Sequence, residues 1–258
     1  MESRIVGTTM PVLEIGLEAG ETIVAEAGQM SWMTSNVQLR TTTAAAGARG
    51  LWGAVTRAVA GGGLFMTEFS APAGQGAVVF AAKVPGAILP MTVEPGAGYL
   101  VHRHGFLCAT PGVELAIGFQ RSLGAGLFGG SGFIMQRVSG SGTAWLELGG
   151  EIVSLELAPG EELLVHPGHV GMFEERVGFD ITTIRGIANA LFGGEGLFLV
   201  RLTGPGNVWL QTLTMPGLAH ALAPYVGPRA ESSAQPTAAA VEAGVAGSVL
   251  KGLFGGNS

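Results

Sequence analysis

The chain has 258 residues, of which 44 are glycine, 47% are hydrophobic and only 12% are charged. Its formal net charge is −6, and its 13 basic residues are scattered singly. That excludes the clustered Lys and Arg that hold a phosphate backbone, so no nucleic-acid partner is expected.

A mean hydropathy of +0.44 raises the question of membrane spans. The longest apolar stretches, such as Val78-Val79-Phe80-Ala81-Ala82, fall far short of the roughly 20 residues that a spanning helix needs. The opening Met1-Glu2-Ser3-Arg4 runs into strand-like sequence with no basic region ahead of an apolar one. The expectation is a soluble, cytoplasmic chain. A single cysteine excludes an intramolecular disulfide and a cysteine-based zinc site, and Cys108 reads as a small buried hydrophobe.

The first element, termed B, covers residues 10–40 and contains Leu17-Glu18-Ala19-Gly20-Glu21-Thr22-Ile23-Val24-Ala25-Glu26. It sets a turn (x-[AP]-G) between two short apolar strands. A stretch of helical character, Gly50 to Ala60, leads to the second element, termed A, at 61–84, which opens Gly61-Gly62-Gly63-Leu64-Phe65-Met66. B then returns at 85–118 as Val93-Glu94-Pro95-Gly96-Ala97-Gly98-Tyr99-Leu100-Val101-His102, followed by a second helical stretch, Arg121 to Phe128.

A recurs at 129–149, with Gly129-Gly130-Ser131-Gly132-Phe133-Ile134 leading to Trp145. The third B, 150–181, carries Leu157-Ala158-Pro159-Gly160-Glu161-Glu162-Leu163-Leu164-Val165-His166. A third helical stretch, Arg185 to Phe192, precedes the last A, 193–215. The second and third copies of both motifs lie 64 residues apart without a gap, with Trp145 matching Trp209. Two motifs sharing one period mark internal repeats. These tryptophans sit on alternating strands and read as core residues or contacts between repeats.

Apolar alternation flanks Gly149-Gly150, which suits a tight hairpin, so each A is expected to pair with the B that follows it. This leaves the first B and the last A without neighbours. The sequence therefore predicts that the N-terminal B closes on the C-terminal A. The outcome would be an all-β body over 1–227 made of three β-rich repeats with pseudo-threefold symmetry and short inter-repeat helices. Residues 228–258 read as a linker ending in one more copy of the inter-repeat helix, Ser248-Val249-Leu250-Lys251-Gly252-Leu253-Phe254-Gly255-Gly256.

The Pro-Gly turns, the run Ala27-Gly28-Gln29-Met30-Ser31-Trp32-Met33 and the Gly-Gly-x-Gly-[LF]-[FI] segments together resemble the family of altered inheritance of mitochondria protein twenty-four. The resemblance covers about residues 5 to 220. It implies a fold similar to the trp RNA-binding attenuation protein, a short double-stranded β-helix, present as three units in a chain that forms trimers. It brings no catalytic residues.

Catalytic patterns fail one by one. The Gly-rich segments precede strands, and no Gly-Lys-Ser/Thr follows them, so they are not phosphate loops. Gly140-Ser141-Gly142 lacks the flanks of a nucleophile elbow, and Pro205 replaces the serine in the next copy. Glu26, His102 and His166 occupy one position in the three B copies. On a shared axis they would form a two-His-one-carboxylate ligand set. The simpler reading is an interchangeable polar residue at a solvated strand end, and no metal, cofactor or enzymatic activity is expected. The leading function is a structural or interaction scaffold, a homotrimeric ring of nine units presenting surfaces to protein or membrane-associated partners. The second is a small-ligand or metal-binding module at the pseudo-threefold axis.

Overall fold

The computed structural model describes residues 1–42, 66–121, 133–184 and 197–226. The expected helical stretches between repeats and the C-terminal helix lie outside them, apart from Arg121, which ends a strand. Met1–Leu218 form one compact unit, and Ala219 begins a second.

Among the described residues, nineteen strands follow one another. The first are β1 (Glu2–Val6), β2 (Val12–Leu17), β3 (Thr22–Glu26), β4 (Trp32–Met33) and β5 (Gln38–Thr42). Next come β6 (Met66–Ser70), β7 (Gly76–Ala81), β8 (Gly86–Val93), β9 (Tyr99–His102), β10 (Phe106–Ala109) and β11 (Val113–Arg121). Then follow β12 (Phe133–Gly140), β13 (Gly142–Gly149), β14 (Ile152–Leu157) and β15 (Glu162–Val165). The last are β16 (Val170–Glu174), β17 (Gly178–Ile184), β18 (Leu197–Thr203) and β19 (Gly206–Gln211), ahead of a short helix, α1 (Met215–Leu222). The protein is all-β, as its alternating apolar positions require. In β2, Leu13, Ile15 and Leu17 turn inward while Val12, Glu14 and Gly16 face outward. No described helix is long and apolar enough to cross a membrane.

Among the described residues, every strand pairing is antiparallel, in four sheets. Their orders are β1-β2-β7-β4, β5-β6-β3-β10-β13-β8, β11-β12-β9-β16-β19-β14 and β15-β18-β17. This corrects the expected pairing. The first A strands, β6 and β7, pair with the first B, through β6 with β3 and β5 and β7 with β2 and β4. The last A strands, β18 and β19, pair with the third B. The N-terminal B therefore does not close on the C-terminal A. Gly149-Gly150 does not make a hairpin either, because β13 and β14 belong to different sheets. A tight turn fixes only the local change of direction, and here the chain leaves one sheet for another.

The described residues form three hydrophobic clusters. Leu13, Ile15, Phe69, Phe80, Leu107 and Trp145 belong to the first, Val101, Phe106, Leu115, Leu146 and Met172 to the second, and Met135, Phe173, Val200, Leu202 and Val208 to the third. Each fully buried Leu or Phe contributes about 1.5–3 kcal/mol relative to an exposed one. Trp145 is core, while Trp209 is half-buried and packs edge-on against Tyr99 with centroids 6.1 Å apart. Gly142 opens β13 at φ +143°, and a Cβ there would lie 2.0 Å from Thr110 Oγ1. Gly142→Ala should thus cost more than about 1 kcal/mol, read as a lower midpoint in urea unfolding. An unchanged midpoint would contradict this reading of the turn.

Candidate functional site

Glu26 and His102 end β3 and β9, and His166 directly follows β15. After each comes the same turn, in which the N–H three residues on returns to that residue's carbonyl. The bonds are Gln29 to Glu26 at 3.2 Å, Gly105 to His102 at 2.8 Å and His169 to His166 at 2.9 Å. Their local settings match, and β3, β9 and β15 lie in three different sheets. Among the described residues, no three His, Cys, Asp or Glu stand together as a metal-holding group.

Each of the three side chains has its own surroundings. The Glu26 carboxylate accepts from Gln136 Nε2 at 2.7 Å and from Gln29 Nε2 at 3.4 Å. Burial raises its pKa, and the two amides and the charges of Lys83 and Arg103 oppose that rise. His102 donates from Nε2 to the Glu147 carbonyl at 3.2 Å, since a carbonyl can only accept. Burial lowers its pKa to about 4, assisted by His104 and Lys83, so the ring is neutral at pH 7. His104, beside Arg103 and Lys83, is lowered mainly by burial as well. His166 Nδ1 accepts from the Gly168 N–H at 3.3 Å, its ring centroid 5.8 Å from that of His169. Burial and the neighbouring His169 lower its pKa.

The structure reveals a polar seam that the sequence reading missed. Gln29, Gln136, Glu147 and Gln211 are all buried. Gln211 bridges two backbone groups, with Oε1 accepting from the Gly149 N–H and Nε2 donating to the Gly168 carbonyl, both at 3.0 Å. Glu147, 64 residues earlier, does half of this, as its Oε1 accepts from the Lys83 N–H at 2.6 Å. Its Oε2 is buried without a hydrogen-bond partner among the described residues, as are Gln29 Oε1 and Gln136 Oε1. The shared spacing of Glu147 and Gln211 was the signal that could have found them. Gln136 carried none, because Val200 stands 64 residues on.

Most of the seam's hydrogen-bonding groups are spent on backbone N–H and carbonyl groups and on one another, which fixes chain segments. Cys108 is fully buried, and burial pushes its thiol well above the ordinary range, which makes it a poor nucleophile.

Comparison with known proteins agrees with this fold. The sequence profile of the family described as Mitochondrial biogenesis AIM24 matches residues 3–213. The chain belongs to this family. It is the one that its turn and glycine motifs resemble. An uncharacterised protein of Streptococcus pyogenes serotype M6 is 28% identical over 221 residues, spanning 84% of this chain and 87% of the relative. A Streptococcus pyogenes protein whose X-ray crystal structure was solved in a structural genomics programme superposes with a TM-score of 0.68 at 25% identity. The match covers 87% of this chain and 99% of that one.

Proposed function

We propose that the protein is a non-catalytic structural scaffold: three repeated units in one chain, similar to the trp RNA-binding attenuation protein, which assemble as a closed homotrimeric ring. The units are β2–β7, β8–β13 and β14–β19, each a B followed by its own A. Three features support the repeat. In each unit the strand pairings are the same, since β6, β12 and β18 lie between β3 and β5, β9 and β11, and β15 and β17. Likewise β7, β13 and β19 lie between β2 and β4, β8 and β10, and β14 and β16. Their x-[AP]-G turns also agree, with Gly20, Gly96 and Gly160 at φ +84°, +82° and +78°.

The observation that carries the scaffold reading is how successive units join. Strand β3 of the first pairs with β10 of the second, and β9 of the second with β16 of the third. Two three-stranded halves thereby merge into one continuous six-stranded sheet at each joint. A unit built to extend its neighbour's sheet serves assembly, and a head-to-tail contact that repeats around an axis closes into a ring. Light scattering after gel filtration should give a mass near three times 26.2 kDa. A stable monomer at micromolar concentration would overturn the ring.

A further inference from the structure

We infer that the ring is closed by one defined contact: β15 of one copy adds, antiparallel, to β4 of the next, with Val165 opposite Trp32 and Leu164 opposite Met33. This rests on the scaffold reading and specifies its interface.

The argument starts from which edges are open. Within the units, β5, β11 and β17 always lie at sheet edges, and so do β8 and β14. Those edges belong to the unit's design. Two edges break the pattern. β4 corresponds to β10 and β16, both paired on two sides, yet no described strand pairs with its outer side. β15 corresponds to β3 and β9, also paired on two sides, and its outer side is likewise without a described strand. The two unmatched edges are the complementary halves of one joint, left at opposite ends of a row of three units.

The register follows from the internal joints. Ala25 lies opposite Cys108 and Val24 opposite Ala109 in one, while Val101 lies opposite Met172 and Leu100 opposite Phe173 in the other. Trp32 holds the place of Cys108 and Met172, because these three pair inward with Val79, Trp145 and Trp209. Val165 holds the place of Ala25 and Val101, because these pair inward with Val200, Thr67 and Gln136.

Exposure points the same way. Cys108 and Met172 are 0% exposed, but Trp32 is 54% exposed. Val24 is 5% exposed, while its counterpart Leu164 is 51% exposed. Large apolar side chains left in water on an unpaired edge invite strand addition.

An arginine supplies an independent mark. At the joint of the second and third units, Arg137 Nε donates to Glu175 Oε1 at 2.6 Å. Arg201 stands 64 residues on from Arg137, beside the unmatched edge. Its Nε is buried without a hydrogen-bond partner among the described residues and has only a long ion pair, at 3.7 Å, to Glu162. By the same register, Ser35 of the next copy takes the place of Glu175, and its hydroxyl oxygen would accept that N–H.

The test is disulfide trapping in a Cys108→Ala background, which removes the native thiol. Trp32→Cys and Val165→Cys proteins are mixed and oxidised, and so are Met33→Cys and Leu164→Cys proteins. Two adjacent pairs are needed, because one of them must be a non-hydrogen-bonded site, where side chains approach most closely. Val165→Cys mixed with Asn36→Cys is the out-of-register control. At least one matched pair should give a covalent dimer on a non-reducing gel, and the control should not. Leu164→Asp, a change at an exposed position, should lower the mass threefold, to a folded monomer with an unchanged far-ultraviolet spectrum. A trimeric mass without trapping by either matched pair would overturn this contact and leave the ring standing. A monomeric unmodified protein would overturn both.

Discussion

Glu147→Gln is expected to raise stability at pH 8 by about 1–3 kcal/mol, the usual cost of a buried polar atom without a partner. The reason lies in the comparison with Gln211, whose amide accepts from one backbone N–H and donates to one carbonyl. Glu147 Oε1 reproduces the first bond, but Oε2 is buried without a partner among the described residues. Counting back 64 residues from Gly168 gives His104, so by the repeat spacing its carbonyl is the acceptor expected for an amide at position 147. An ionised carboxylate cannot donate to it, whereas a protonated one can. Burial accordingly raises the pKa of Glu147, against the lowering effects of the Lys83 N–H and charge.

A raised folded-state pKa fixes the sign. The folded protein holds the proton more tightly than the unfolded chain, so this stability is present below the ordinary carboxyl pKa. It is lost as the pH rises through the folded-state value. The advantage of Glu147→Gln should therefore be largest at pH 8 and shrink toward pH 4. Gln211→Glu should show the reverse, losing stability most at pH 8. Urea unfolding of the three proteins at both pH values decides the matter. Equal midpoints for Glu147→Gln and the parent at pH 8 would show that Oε2 is satisfied in solution.

Much of the architecture was legible because it is locally encoded. Alternation in Val12–Leu17 specifies a half-buried strand. The Gly20, Gly96 and Gly160 turns lie where x-[AP]-G stands in the sequence, and each needs a positive φ. Which strands pair was not legible, since Gly149-Gly150 looks the same whether its flanking strands bond to each other or separate into two sheets. Pairing is decided by apolar contacts far apart in the chain, such as Leu13 and Ile15 clustering with Phe80 and Leu107.

The site was legible in position but not in company. Repeat alignment put Glu26, His102 and His166 at one position of the B segments, and in the structure the same local turn bond follows each while its side chain has a different partner. Gln136 was overlooked for a physical reason. A glutamine on an alternating strand reads as solvent-facing, whereas this one is 2% exposed and spans to Glu26.

His102 should make the protein acid-labile in a window above that of its carboxylates. Its ring is held neutral, with a pKa lowered to about 4 from 6.5. In the unfolded chain the imidazole takes up a proton near pH 6.5, while the folded protein resists until about pH 4. The corresponding stability is present above the ordinary value and lost as the pH falls through this interval. At about 1.36 kcal/mol per pH unit, the loss is about 3 kcal/mol. Glu21 and Glu174, whose pKa values are lowered, lose their contributions only below the ordinary carboxyl range. Glu26 and Glu147, with raised values, gain stability as they protonate, in the opposite direction. A comparison that leaves all four in place isolates the histidine. His102→Gln cannot titrate and can still donate to the Glu147 carbonyl, so its stability should fall by about 3 kcal/mol less than the parent's between pH 7 and 4. Urea unfolding across that range measures the difference, and parallel curves for the two proteins would mean that the imidazole is charged, or freely hydrated, in the folded state.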